Sequence, residues 1–415
     1  MHPTPIIFAI FQTGNGANGG VESITQVIEH RQRQQSVIVT QLQTPVNQRW
    51  QRAGAHVEVW PLPYTMGSSF YGSSLWGQLQ RLWSLLCTNY QAFRLVHHTG
   101  SRVVHHNDPS AFWHLALGAK MAGAKVVFNV RDTKAEGEPY NRKWSVAYRL
   151  CDRLLVLSKE MRQSLLQHLP GAQGRPDKLQ AIYSIVDTTR LHPLSTPERQ
   201  ALRQRLGIRP DTLALGYVAT LNPKKAQLEF IQQAVAPLRQ AIPQLKIYFI
   251  GDCEPQKNPY ARACLAATRQ LGLADTVEFV GYTPEVVDWY RAVDMGVLAS
   301  RKEGLARCMI ESLACGTPVV SFDVCSAREI LQGYDCGRVV SRDYGALVAA
   351  IANLAQQPQQ RQRLGENGVK AVQTLFQPAA VVAQYESLYG QLESPPETPI
   401  ASRLWRPRRQ SGSLL

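Results

Sequence analysis

Glu303 and Glu311 stand with seven residues between them in the stretch SRKEGLARCMIESLACGTPVVSFD, residues 300–323. The loop 300–303 passes through Gly304 into a helical pattern that carries the second carboxylate, and Gly316-Thr317-Pro318 closes it ahead of an apolar run. Where a loop starts a helix, main-chain N–H groups are left without helical partners, and their partial positive charge seats phosphate. Gly304, Leu305 and the small Ala306 are expected to let a ligand approach that main chain, with Arg301, Lys302 or Arg307 adding cationic contacts. A carboxylate does not bind phosphate, so the two glutamates need hydroxyl partners, as a sugar or a ribose offers. Amides for phosphate flanked by carboxylates for hydroxyls suit a sugar nucleotide.

Positioning such groups takes strands and helices in alternation. In the first half, short apolar runs at 6–11, 36–42, 56–60, 102–106, 124–130 and 152–158 are separated by helical stretches. After the turn-rich segment VDTTRLHPLSTPER, 186–199, the rhythm restarts with strands at 212–218, 245–251, 276–281, 294–300 and 317–323. Helices are expected near 226–241, 258–271, 284–291 and 306–315, then over 343–355 and 358–392. Apolar runs alternating with helices of about ten to fifteen residues predict parallel sheets covered on both faces. The fold class is therefore α/β, with two doubly wound Rossmann-like domains facing a central cleft at the carboxyl ends of their strands. The expected units are 1–190, an acceptor-side domain, and 191–375, a nucleotide-sugar domain; a helix over 376–392 returns to the first, and a basic, disordered tail covers 393–415.

The string EGLARCMIESLACGTPVV resembles the Glu, seven residues, Glu motif of retaining glycosyltransferases of family 4, which have the GT-B architecture. The resemblance implies that Glu303 lies by the transferred sugar and Glu311 by the nucleotide ribose. DRLLVLSKEMRQSL resembles the stretch that closes the family's first domain, and LGYVATLNPKKAQLEFIQQAV its diphosphate-binding stretch. GGVES, 19–23, is similar to the glycine loop near the donor phosphates, which assigns Gly19 and Gly20 there. Gly281 and Tyr282 would lie beside the base and Lys225 on the diphosphate. The likeness is strong over 212–331 and loose before 100. It implies hexose transfer with retention from a nucleoside-diphosphate sugar to a hydroxyl of a glycan or lipid-linked acceptor, in cell-envelope, exopolysaccharide or glycolipid synthesis.

Two positions depart from the family pattern. The family pairs an arginine with a lysine five residues later; here Thr220 precedes Lys225, with Lys224 or Arg301 as candidates to compensate. Many relatives carry a histidine near the reacting sugar where this chain has Arg131-Asp132. An arginine, with a pKa above about 12, exchanges no protons, but it clamps charged groups or pairs with an acid such as Asp132. The alternative reading is a sugar-nucleotide-binding protein without transfer.

The net charge of +14 suits an anionic ligand, a membrane surface or nucleic acid. No aromatic-rich basic motif of a nucleic-acid binder is found. No apolar run approaches the roughly 20 residues that span a bilayer, and MHPTPIIFAIFQTG reads as a buried first strand, so the chain is expected in the cytoplasm, with peripheral contact at the inner membrane face. The eight cysteines show no metal spacing, and Cys308 and Cys315 read as small buried hydrophobes. No Asp-x-Asp motif occurs, so no metal and no cofactor beyond the nucleotide-sugar co-substrate is expected.

Three features invite other readings. GNGANGG, with Gly14, Gly16 and Gly19, mimics a dinucleotide-binding loop, but the second strand ends in Gln41-Leu42-Gln43 without the acid a ribose needs there. His97-His98 and His105-His106 suggest metal ligands, yet neighbours on a strand point to opposite faces; His106, at a strand end, is an acceptor-side candidate. The tryptophans and leucines of 73–96 recur at helical spacing. Core packing is the first reading of them and an interfacial helix the second.

Overall fold

The computed structural model describes residues 4–12, 19–31, 35–62, 75–132 and 138–394. Gly14 and Gly16 of the glycine loop, and the tail from 395 onward, lie outside the described residues. The first sheet contains β1 (Ile6–Ala9), β2 (Ser36–Thr40), β3 (His56–Val59), β4 (Val103–His106), β5 (Lys125–Asn129), β6 (Arg153–Val156) and β7 (Leu179–Ala181). Its order is β3-β2-β1-β4-β5-β6-β7, with every pair parallel. The second contains β8 (Leu213–Val218), β9 (Leu245–Ile250), β10 (Val277–Gly281), β11 (Met295–Leu298), β12 (Val319–Phe322) and β13 (Gly337–Val340), in the order β10-β9-β8-β11-β12-β13. Both orders reverse direction once, between β1 and β4 and between β8 and β11, and a crevice opens outside the strand ends at such a point.

The expected doubly wound α/β architecture is therefore present. Central strands are buried on both sides because both faces are covered: Ile6 and Phe8 join one apolar cluster while Ile7 and Ala9 join another. The sequence reading missed β7 and β13. The first has only three residues, and the second carries Arg338 and is mostly half-buried, so neither shows the continuous apolar run of an inner strand. The late helical stretch expected over 358–392 forms two helices, Pro358–Leu375 and Pro378–Glu393, separated at Phe376-Gln377 because Pro378 starts a helix more readily than it continues one.

The last helix packs on the first domain. Val381, Tyr385, Leu388 and Tyr389 share a buried cluster with Ile6, Phe8 and Val103. Arg31 pairs with Glu386 at 2.7 Å. The chain thus crosses between domains twice, and the crossings touch: Val186 N–H donates to Phe376 O at 3.0 Å.

The helix Leu75–Thr99 overturns the core-packing reading of 73–96. Its hidden face carries Arg81, Ser84, Thr88, Ala92, Leu95 and Val96, whereas Leu75, Trp76, Leu79, Leu82, Trp83, Leu86 and Tyr90 are exposed. The cysteines are all free, and burial pushes the Cys308 and Cys315 thiols up to about 12.

His106 is fully buried at the end of β4, its Nδ1–H donating to Val127 O at 3.0 Å and its ring edge-on to Phe112. It faces the helix Pro109–Met121 rather than the cleft, which removes it as an acceptor-side group. Burial holds His106 and His114 down at about 4. A histidine depressed on folding binds its proton more readily when unfolded, so stability falls as pH drops from about 6.5 toward 4. The expected loss is on the order of 1 kcal/mol per histidine between pH 6.5 and 5.5. Urea midpoints across that range check it, and the non-titrating His106→Asn should show a shallower decline than the parent.

Candidate active site

Thr220 and Lys225 follow β8, Asn107 follows β4, Arg131 follows β5 and Ser300 follows β11, so all lie at the crevice ends of the strands. Lys225 is placed by a tight turn. The Asn222 side chain accepts from Lys225 N–H at 3.2 Å, and Ala226 takes a left-handed backbone (φ 56°) before the next helix begins. A non-glycine residue pays about 1–2 kcal/mol for that conformation. Lys225 Nζ then lies 2.6 Å from Glu303 Oε1, and Glu303 is 5% exposed. Burial works against the Lys225 charge, but Cys308, Glu303 and Asp132 around it still raise the pKa.

Gly304 does not serve as a ligand-facing gap. A Cβ there would lie 2.1 Å from the Arg131 carbonyl oxygen, so the absent side chain admits the other domain's main chain. Leu305 and Ala306 are 7% and 2% exposed. The helix Arg307–Ala314 starts at Ala306 with no side-chain cap. Its first side chain, Arg307, donates from Nε to Glu311 Oε1 at 3.0 Å and from Nη1 to Ile185 O at 3.4 Å. Glu311 also accepts from Tyr290 OH at 2.9 Å, a contact that sequence reading missed although Tyr290 lies within 212–331, where the family likeness is strong. A Cβ on Gly19 would come within 3.0 Å of Arg307 Cδ, which brings the glycine loop's end and the second domain together. Between them lies a cavity of about 320 Å³, lined by Glu22, Gln26 and Arg49 on one side and Val286, Tyr290, Arg307 and Glu311 on the other.

Arg131 does not pair with Asp132. Its Nε–H donates to Asn107 Oδ1 at 3.0 Å, and burial, with Arg307 acting in the same direction, pulls its pKa down to about 10. Asp132 instead binds Lys224 Nζ at 2.8 Å across the cleft. Arg301 pairs with Glu229. Both cations proposed to compensate for Thr220 are thus already engaged. Thr220 is exposed and its carbonyl accepts from Asn222 and Gln227. Gly281 has φ +84° and Tyr282 is exposed next to it. Gly20 O accepts from Asn107 Nδ2 at 3.5 Å. Among the described residues, no group of three His, Cys, Asp or Glu could hold a metal ion.

Sequence reading also missed a lock between the domains. Ser326 Oγ–H donates to Gly304 O at 2.6 Å and Ser326 Oγ lies 2.8 Å from Ser158 Oγ. Glu329 accepts from the amides of Lys159 and Glu160, while Glu160 accepts from Ser326 N–H at 2.8 Å. A larger recess of about 1330 Å³, lined by Arg199, Leu213, Gln244, Asp294 and Arg361, lies at the opposite, starting ends of the strands and contains none of the candidate site residues.

This crevice between two parallel-sheet domains defines the GT-B class. The second domain matches the family model "Glycosyl transferases group 1" over residues 198–371, and the first matches "Glycosyltransferase Family 4" over 23–190. EpsD of Bacillus subtilis is 29% identical over 302 residues, 69% of this chain and 76% of that protein. D-inositol 3-phosphate glycosyltransferase 2 of Catenulispora acidiphila is 30% identical over 52% of this chain, which spans 51% of that relative's length. HepE of Anabaena, solved with UDP, superposes with a TM-score of 0.76 at 19% identity over 93% of this chain and 100% of that one. Sucrose-phosphate synthase of Thermosynechococcus elongatus gives 0.74 at 20% identity over 94% and 99%. The chain belongs to the GT-B glycosyltransferases, with one family's domain in each half.

The Gly304 contact can be tested directly. Gly304→Ala forces the Arg131 main chain away and should destabilise the protein by about 1–3 kcal/mol, the usual range for overpacking. Gly390→Ala, on an open helix face with nothing within 4 Å of the added carbon, is the control and should leave the melting temperature equal or higher.

Proposed function

We propose that the chain transfers a hexose, with retention at the anomeric carbon, from a nucleoside-diphosphate sugar to an acceptor hydroxyl on a glycan or lipid-linked acceptor of envelope, exopolysaccharide or glycolipid synthesis. The observation that carries this reading is the placement of Glu303 and Glu311, each already paired to a cation, on either side of the point where the domains meet. In this reading the nucleotide occupies the second-domain side of the cleft, with Gly281 and Tyr282 beside the base. Glu311 accepts from the ribose hydroxyls at the mouth of the 320 Å³ cavity. The complexes of HepE with UDP and UDP-glucose make the uridine nucleotides the first donors to test.

Glu303 accepts from the hydroxyls of the transferred sugar, and Lys225, 2.6 Å away, swings only slightly to meet the leaving diphosphate. Gly19, Gly20, Arg307 and the main chain around Ala306 close the phosphate site, stabilising charge as it grows on the departing oxygen. The acceptor oxygen bonds to the anomeric carbon on the face from which the diphosphate leaves, and its proton passes to the leaving phosphate oxygen. Arg131 is the cation held by a neutral side chain, Asn107, and it serves the substrate as an anion clamp rather than as a proton carrier.

Binding of UDP and of UDP-sugars to the native chain should raise its melting temperature. Glu311→Ala should weaken nucleotide binding by about 1–3 kcal/mol, and unchanged affinity removes the ribose role. Lys225→Ala should lower kcat by on the order of a hundredfold. Proton NMR of the product should show the donor's anomeric configuration, and inversion excludes the mechanism.

A further inference from the structure

We propose that the outer face of the helix Leu75–Thr99 is a docking surface for an anionic lipid bilayer. The observation is an inverted amphipathic helix. At about 100° per residue, the residues from Leu75 to Tyr90 that are large, apolar and exposed cover about 120° of the circumference. Trp76 is 68% exposed, Trp83 69% and Leu86 57%, while the opposite face buries Arg81, Ser84 and Thr88.

That orientation is fixed by specific contacts. Asn89 Nδ2 donates to Trp113 O at 3.0 Å, its Oδ1 accepts from Gly118 N–H at 2.9 Å, and Thr88 Oγ1 lies 2.9 Å from His114 Nδ1. A Cβ on Gly118 would fall 1.8 Å from Asn89 O, so the two helices meet main chain to main chain. The helix is therefore held with its apolar side outward. Exposed Leu117 and Met121 of the neighbouring helix Pro109–Met121 add to the apolar surface on this side of the sheet.

Charge selects the occupant. The helices Leu75–Thr99, Pro109–Met121 and Arg142–Leu150 contain no aspartate or glutamate, and they expose Arg94, Arg142, Lys143 and Arg149. The apolar stripe passes into Arg94, His97 and His98 at its carboxyl end. Tryptophan and tyrosine beside leucine, edged by cations without acids, match the headgroup region of an anionic membrane. No helix among the described residues is long and apolar enough to cross a membrane, so the contact is with the surface. Because Leu75–Thr99 leads into the start of β4, its tryptophan-bearing half extends toward the strand ends where the cleft opens, which suits an acceptor held in lipid.

The link to an acceptor held in lipid rests on the proposed transfer reaction; the surface itself does not, and the test reads binding without turnover. Full-length chain is sedimented with phosphatidylglycerol–phosphatidylcholine vesicles and with phosphatidylcholine alone. Partition onto the anionic vesicles should fall at least tenfold in Trp76→Gln/Trp83→Gln/Leu86→Gln, whose melting temperature should match the parent's because all three side chains are exposed. Weaker binding to neutral vesicles supports the charge argument. Equal partition of parent and variant, or none for the parent, overturns the proposal. So does light scattering that shows a parent dimer which the variant disperses, since a second copy would then cover the face.

Discussion

The arrangement of the cleft depends on one steric constraint, the contact of Gly304 with the Arg131 main chain. The signature loop of the second domain reaches the strand end of the first only because position 304 has no Cβ to place 2.1 Å from a carbonyl oxygen. Everything polar at the junction follows from that approach. The Ser326 hydroxyl gives its proton to Gly304 O and accepts from Ser158, whose own oxygen accepts from Met161 N–H as a helix cap. Glu329 takes the first amides of the Lys159 helix, where a carboxylate is favoured by the helix dipole. One residue of each domain thus terminates an element of the other.

With the domains so placed, three cationic groups of the cleft are held by acids. Lys225 rests on Glu303, Lys224 on Asp132 and Arg307 on Glu311. Each acid keeps a long, flexible cation in the neighbourhood where it is needed, so less side-chain entropy is lost when an anion arrives. The acids also confine the choice of ligand. A phosphate that draws Lys225 away leaves Glu303 buried without its cation, and hydroxyl donors on the same molecule are the natural replacement. A ligand combining phosphate and hydroxyls satisfies both members of each pair; a bare anion satisfies one.

Much of this architecture was legible because its elements are strongly patterned. The buried central strands are apolar over Ile6–Ala9 and Val37–Val39, and Glu311 lies on a helix that Gly316 and Pro318 close. What could not be read depends on long-range placement. Nothing near Gly304 in the chain says that Arg131 will fill its space, and nothing near Asp132 says that Lys224, not Arg131, will be its partner. His106 looks like a cleft residue by position, yet strand alternation turns its ring toward Phe112. Helical spacing of apolar residues in Leu75–Thr99 revealed the helix but not its rotation, which the contact of Asn89 with Gly118 on the neighbouring helix decides.

That rotation bears on how the two halves work together. The first domain is completed by a helix from the far end of the chain, Pro378–Glu393, so both crossings at Val186 and Phe376 leave and return through the same narrow joint. The two crossings are adjacent and so form one joint between the domains, beside an apolar cluster that takes in residues of both. At the cleft the domains are joined by the close fit at Gly304, by the Lys224–Asp132 ion pair and by hydrogen bonds, each with a net worth of about 0.5–1.5 kcal/mol. They include the Ser158–Ser326–Gly304 chain and the two carboxylates of Glu160 and Glu329. Surface features on the first domain, including the outward apolar stripe, stay fixed relative to its sheet because they are tied to Pro109–Met121 and not to the second domain. The face that carries the stripe is therefore independent of the contacts that join the two domains at the cleft.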